Sequence, residues 1–268
     1  MTTPSFNRLV RMYAERMTRL FNGYFARANT EPLWAADERL KWAAISLARQ
    51  MAREFGSVNA LSWRDAAMKS SRAKEIYKAL QAEIKRTGLQ GPLDEIARRN
   101  ADLIRSVPSD VARMITGRAA KLRMEGARPA EVEQAIRQWA PLLTKNRIKL
   151  IARTEVARAG SNLTQARAEA IDLHWYQWQT SEDQRVRPSH RAMDQILINW
   201  NDPPSPEALI GERSTLGPGH AGTFPNCRCS PLPIADMSEI HWPAKAYMGG
   251  RIIRITRTQF AQQVRIAA

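Results

Sequence analysis

Four side chains in one short stretch have the types to hold a metal ion: His190, His220, Cys227 and Cys229, and the stretch contains both cysteines of the chain. Two thiolates and two imidazoles are a standard tetrahedral set for structural zinc, a borderline-soft ion that takes sulfur and nitrogen donors. On a strand, Cys227 and Cys229 would leave the same face, so both sulfurs could reach one ion. His220 comes just before them in sequence, across Gly222 and Pro225. A short helix over Pro188–Gln195 would bring in His190. The C-x-C spacing is tighter than the usual pair spacing of zinc fingers. A disulfide within Cys227-Arg228-Cys229 would close a strained small ring. Buried free thiols beside hydrogen-bonded histidines are the alternative that the residue types leave open.

A second cluster runs through Asp183-Gln184-Arg185-Val186-Arg187-Pro188-Ser189-His190. Asp183 can pair with Arg185 or Arg187 and organise the loop, or orient a ligating histidine from behind. Glu155, in Arg153-Thr154-Glu155, can face the same module from a helix or make an ordinary helix ion pair.

The elements that must position these residues fall into two kinds. Phe6, Leu9, Val10, Tyr13, Met17, Leu20, Phe21 and Tyr24 recur at three- and four-residue steps, an apolar stripe on one helix. Pro32 interrupts, and a second helix is expected from Trp34 to Phe55, ended by Gly56. Asn59 or Ser62 would cap a third, carrying Ala67, Ile76, Leu80 and Ile84 and stopping at Gly88. Shorter helices fit Leu93–Ile104, Pro108–Met124 and Ala130–Trp139, with Pro108 near a helix start. Thr144 then opens a long helix to about Ile171. Beyond it the pattern changes: His174–Thr180 alternates and is rich in aromatic residues, which suits a strand. A Pro- and Gly-dense loop follows, and Cys227–Ile234 and Arg251–Thr256 suit further short strands. The fold class expected is α+β: a mostly helical N-terminal arm or bundle (1–143), a small α+β module (144–235) and a basic C-terminal extension (236–268). The module has too little apolar sequence to stand on packing alone and calls for a metal staple.

Charge divides the chain the same way. The whole carries 41 Lys+Arg against 26 Asp+Glu, +15 in formal charge. Residues 1–150 hold +13, residues 151–250 hold −2, and the last 18 residues hold +4. A basic half and a basic tail around a near-neutral module suit a polyanionic partner, with a solvated helical surface as the plainer reading. Arg98, Arg99, Arg118, Lys121, Arg123, Lys145, Arg147 and Lys149 are the candidate contacts, for phosphate or for an acidic protein surface. No run of about 18 uncharged apolar residues occurs, so no membrane-crossing helix is expected. The charged N-terminal stretch does not read as a secretory signal, and a soluble, intracellularly made protein is expected.

Arg153-Thr154-Glu155, then Trp178-x-Thr180-x-x-Asp183-x-Arg185-Val186-Arg187-x-x-His190, then Pro225-Asn226-Cys227-Arg228-Cys229 together resemble the phage Mu F-type minor head (head morphogenesis) family, over about residues 145–232. Members usually carry a histidine just before the Asn-Cys-Arg-Cys. Here Ala221-Gly222-Thr223-Phe224 displaces His220, and Gln195 stands where Gly is common. The resemblance implies a virion component inside the phage head, made in the host cytoplasm and associated with the portal vertex. Its implied partners are the portal protein, the major capsid or scaffolding protein, and double-stranded DNA held without base readout. It implies no small-molecule substrate. A structural role rather than an enzymatic one is expected, because a closed Cys₂His₂ shell leaves no coordination position for water. The rival readings are a metal-dependent nuclease or hydrolase and a zinc-containing nucleic-acid-binding regulator.

Overall fold

The apolar stripe of the N-terminus forms α1 (Pro4–Ala28), which buries Tyr13, Met17 and Phe21 completely or nearly so. The computed structural model describes residues 4–28, 30–67, 81 and 89–266. After a short turn come α2 (Leu33–Ala67), α3 (Gln90–Met124) and α4 (Pro129–Glu169). These four helices share one core, in which Ala44, Ala48 and Ala152 lie fully buried and their short side chains allow close helix approach. A buried polar pair lies within it. The Tyr13 hydroxyl donates to Asn100 Oδ1 at 2.6 Å, and the Asn100 amide donates to the Ile96 carbonyl at 2.7 Å. Both side chains are therefore satisfied, as buried polar groups must be.

The break expected at Pro32 falls between α1 and α2, whereas those expected at Gly56 and Pro108 do not occur. Gly56 does not end a helix; α2 runs through it to Ala67. A Cβ at Gly56 would stand 3.1 Å from Leu93 Cδ2, so this glycine lets α3 approach rather than stopping α2. Asn59 and Ser62 cap nothing, being inside α2, and Ser62 Oγ returns to the Val58 carbonyl. Ile76, Leu80 and Ile84 of the expected third helix, and Gly88 at its end, lie outside the described residues. Pro108 and Pro141 sit inside α3 and α4. Proline removes one backbone donor and disfavours a helix interior. Here Ile104, Val107 and Val111 on one side, and Leu143 and Thr144 on the other, are buried across the proline positions. Burial of those faces outweighs the breaker.

The chain then builds a five-stranded sheet in the order β3-β1-β2-β4-β5. The strands are β1 (Trp175–Thr180), β2 (Leu197–Asn199), β3 (Cys229–Pro233), β4 (Ala244–Met248) and β5 (Arg251–Ile255). All pairings are antiparallel except β2 with β4, which run parallel through Leu197 and Ala246. One-turn helices α5 (Pro188–Ala192) and α6 (Pro206–Leu209) lie in the connections, and α7 (Arg257–Ile266) follows β5. Residues 236–268 therefore supply two strands of the sheet and a helix whose Phe260 packs on Trp175 at 5.1 Å between ring centroids. The expected strand at Cys227 begins two residues later, at Cys229.

Helix α4 ties the two halves together. Thr154 Oγ1 accepts the Asn226 amide at 3.1 Å, and Ser161 Oγ donates to the Ala221 carbonyl at 2.6 Å. Arg158 donates to the Thr223 carbonyl. Gly222 takes φ +88°, and a Cβ there would meet Ser161 Cβ at 3.2 Å and the Ala157 carbonyl at 3.3 Å. Only glycine fits so close an approach with that backbone angle.

Candidate metal centre

His190, Cys227 and Cys229 converge. Cys229 opens β3 opposite Thr180, Cys227 follows a turn closed by its amide on the Phe224 carbonyl at 3.0 Å, and His190 stands in α5. All three are buried, and one ligand atom of each lies within 4.8 Å of the others. His190 Nδ1 is 3.4 Å from Cys227 Sγ and 3.6 Å from Cys229 Sγ. The Cys229 amide donates to Cys227 Sγ at 3.4 Å. Rings enclose the imidazole: Trp178 at 5.6 Å and Phe224 at 4.9 Å between centroids, both edge-on. The Cys229 thiol hydrogen-bonds Cys227 and holds the Cys227 thiol well below its ordinary range. Burial opposes this, and His190 reinforces it. The same contact and burial push Cys229 up. Thiolates, rather than thiols, are the form that binds metals.

The far side of the His190 ring holds a residue that sequence reasoning missed. Glu207, on α6, places Oε1 3.6 Å from His190 Nε2, and the Ser189 hydroxyl donates to the same Oε1 at 3.2 Å. Glu207 is buried, and among the described residues neither its Oε2 nor His190 Nε2 has a hydrogen-bond partner. No spacing rule links Glu207 to His190. The one sequence signal is an acid following Ser205-Pro206 at a helix start.

His220 is not part of this cluster, and the four-ligand set expected from residue types is corrected to three. Its Nδ1 lies 3.2 Å from the Tyr176 hydroxyl, and the ring also hydrogen-bonds the Trp200 backbone. Its hydrogen-bonding capacity is therefore already engaged by neighbours. Burial lowers the His220 pKa to about 4, with the Trp200 contact acting the other way. The closed tetrahedron used to argue against catalysis therefore does not form from these four residues. Among the described residues no further His, Cys, Asp or Glu joins the three.

Asp183 holds the loop, not the histidine. It accepts from the Arg185 amide at 2.9 Å, and its carboxylate pairs with the Arg228 guanidinium. The Arg185 side chain is more distant, at 3.8 Å. Arg187 donates to the Pro225 carbonyl at 2.8 Å, fastening the turn before Cys227. Glu155 faces the helical bundle rather than the sheet module, pairing with Arg99 at 3.0 Å.

Of the eight candidate basic contacts, five have partners within the chain. Arg99 pairs with Glu155, Arg147 with Asp110 at 2.7 Å, and Lys121 with Glu125 at 3.8 Å. Arg118 stacks over Trp139, and Arg123 donates to the Ala127 carbonyl. Arg98, Lys145 and Lys149 are exposed and make no ion pair among the described residues. Lys145 and Lys149 line a groove of about 850 Å³ between α1 and α4, together with Arg11, Arg19 and Arg153. Glu15 is the one acid in its wall, and the groove reaches Asn226 beside the cysteines. Burial and the neighbouring Arg228 and Arg185 charges lower the Arg153 pKa, against the pull of Asp183.

A helical bundle bearing a small sheet with a buried Cys/His knot is the class of protein these features define. Residues 117–232 match the family described as Phage Mu protein F like protein. Over that stretch the chain is similar to that family, in line with the motif order. An uncharacterized protein of Haemophilus influenzae (strain ATCC 51907 / DSM 11121 / KW20 / Rd) is 30% identical over 140 residues, covering 52% of this chain and 29% of that protein. The chain thus matches less than a third of that relative's length. No solved structure matches the chain.

Proposed function

We propose that the chain is a minor component of a phage head, sited inside the capsid at the portal vertex. There it contributes to head assembly and to DNA packaging or ejection through non-specific phosphate contacts. Its protein partners in this reading are the portal and the major capsid or scaffolding protein. No helix of the described residues is long and apolar enough to cross a membrane.

The observation that carries the DNA contact is the α1/α4 groove. Arg11, Arg19, Lys145, Lys149 and Arg153 make no ion pair among the described residues, and one acid faces them. Phosphate contacts by such side chains release counterions and give affinity without sequence preference. The Mu F-like match supports the head setting, in which packaged DNA brings phosphate at high density.

Binding of the full chain to random-sequence duplex should weaken steeply with salt. With all five groove cations engaged, log K against log[salt] should have a slope of about −4.5, at about 0.9 per phosphate. Lys145→Ala/Lys149→Ala should reduce the slope by about 1.8. Binding that depends on base sequence, or a slope unchanged in the double variant, would remove the groove from the DNA contact.

A further inference from the structure

We propose that His190, Cys227 and Cys229 bind one zinc ion, with the metal on Nδ1 of His190 and Glu207 as the positioning residue on the opposite ring nitrogen. This holds whether or not the head reading does.

The spacing is the first support. Zinc bonds of about 2.3 Å to sulfur and about 2.0 Å to nitrogen, at tetrahedral angles, put neighbouring S and N atoms about 3.5 Å apart. The two Nδ1–Sγ separations are 3.4 and 3.6 Å. Both sulfurs converge on one nitrogen, whose single lone pair can accept from only one thiol. A cation between the three atoms uses all of them at once. Two thiolates and an imidazole select zinc over the hard, oxygen-seeking divalent ions.

The second support is the pair of unsatisfied buried atoms. A neutral imidazole that gives Nδ1 to a metal must carry its proton on Nε2. Here Nε2 is buried with no hydrogen-bond partner among the described residues, and Glu207 Oε1 stands 3.6 Å away. A metal-bound histidine commonly donates its other N–H to a carboxylate, which fixes the ring and raises its basicity. A small shift of the ring toward Glu207 would close that hydrogen bond and give the buried carboxylate a second donor beside the Ser189 hydroxyl. Because Glu207 stands behind the ring, away from the metal position, it orients a ligand rather than activating a water.

The test begins with elemental analysis of the full chain purified without chelator, where about one zinc per chain is expected. X-ray absorption should show two sulfur neighbours at about 2.3 Å and lighter atoms at about 2.0 Å. Cys227→Ser/Cys229→Ser should lose the metal. Should that variant fail to fold, two milder ones still decide the matter. Glu207→Gln should retain the metal but surrender it to a competing chelator at about 10–100-fold lower affinity. His220→Gln should leave both stoichiometry and affinity unchanged. A folded wild-type protein that takes up no zinc would overturn the site. Loss of metal in His220→Gln, with full affinity in Glu207→Gln, would overturn the ligand assignment.

Discussion

Trp178→Ala should destabilise the chain by about 3–5 kcal/mol, the range for removing a fully buried aromatic ring from a core. Trp178 is 0% exposed at the middle of β1. Its amide donates to the Ile196 carbonyl at 2.8 Å, and its ring packs edge-on to His190 and tilted against Phe224. Deleting the indole opens a cavity beside the Cys/His cluster that the short β2 and the turn before Cys227 cannot collapse to fill. The control is Trp34, which is 75% exposed on α2. There the same substitution should change stability by about 0.5 kcal/mol or less. Urea unfolding of the full chain compares the two. Equal shifts would mean that the aromatic cluster is not what holds the sheet module.

Arg99→Ala should cost about 3 kcal/mol, while Glu155→Gln should cost clearly less. The asymmetry follows from exposure: the Glu155 side chain is 4% exposed and the Arg99 side chain 44%. Removing the arginine strands a buried carboxylate, and stranding a buried charge is the expensive way to break a pair. Removing the carboxylate frees a guanidinium that can turn to water. Arg158 lies near enough to interact with Glu155 and moderates the loss, so the lower end of the usual 3–5 kcal/mol applies. Arg99→Ala/Glu155→Leu should recover much of the stability, since an apolar pair leaves no charge behind. Additive losses in the double variant would contradict this account.

Glu155 also explains why Arg153-Thr154-Glu155 stands out as a motif. Its three residues face three ways: Arg153 toward the groove and the Arg185/Arg228 loop, Thr154 onto the Asn226 amide, and Glu155 into the bundle. A helix presenting adjacent residues to three partners cannot be read as an ion pair within one face.

The α+β division and the α1 stripe were legible because periodicity is local. Some helix ends were not. Gly56 and Pro108 read as breaks, yet α2 and α3 run through them, with Leu93 packed against Gly56. Strand β1 announced itself through alternating aromatics, whereas β2 is three residues long and β4 is Ala-Lys-Ala-Tyr-Met. Their parallel pairing depends on a partner nearly fifty residues away, which no local pattern encodes. At the candidate metal centre, residue type picked out His190 and the cysteines. It also picked out His220, which differs only in what folds around it: Tyr176 and Trp200 occupy its hydrogen bonds. Glu207 was invisible, because a carboxylate behind a histidine has no fixed spacing from it.

The central claim is that this chain resides inside the head with the DNA. It is tested most directly on purified, DNA-filled heads of a phage carrying this chain, treated with external protease and then analysed by quantitative mass spectrometry. The account predicts that the chain is present in a few copies per head and is protected from protease until the head is opened. Absence from DNA-filled heads, or complete digestion while the capsid is intact, would contradict it.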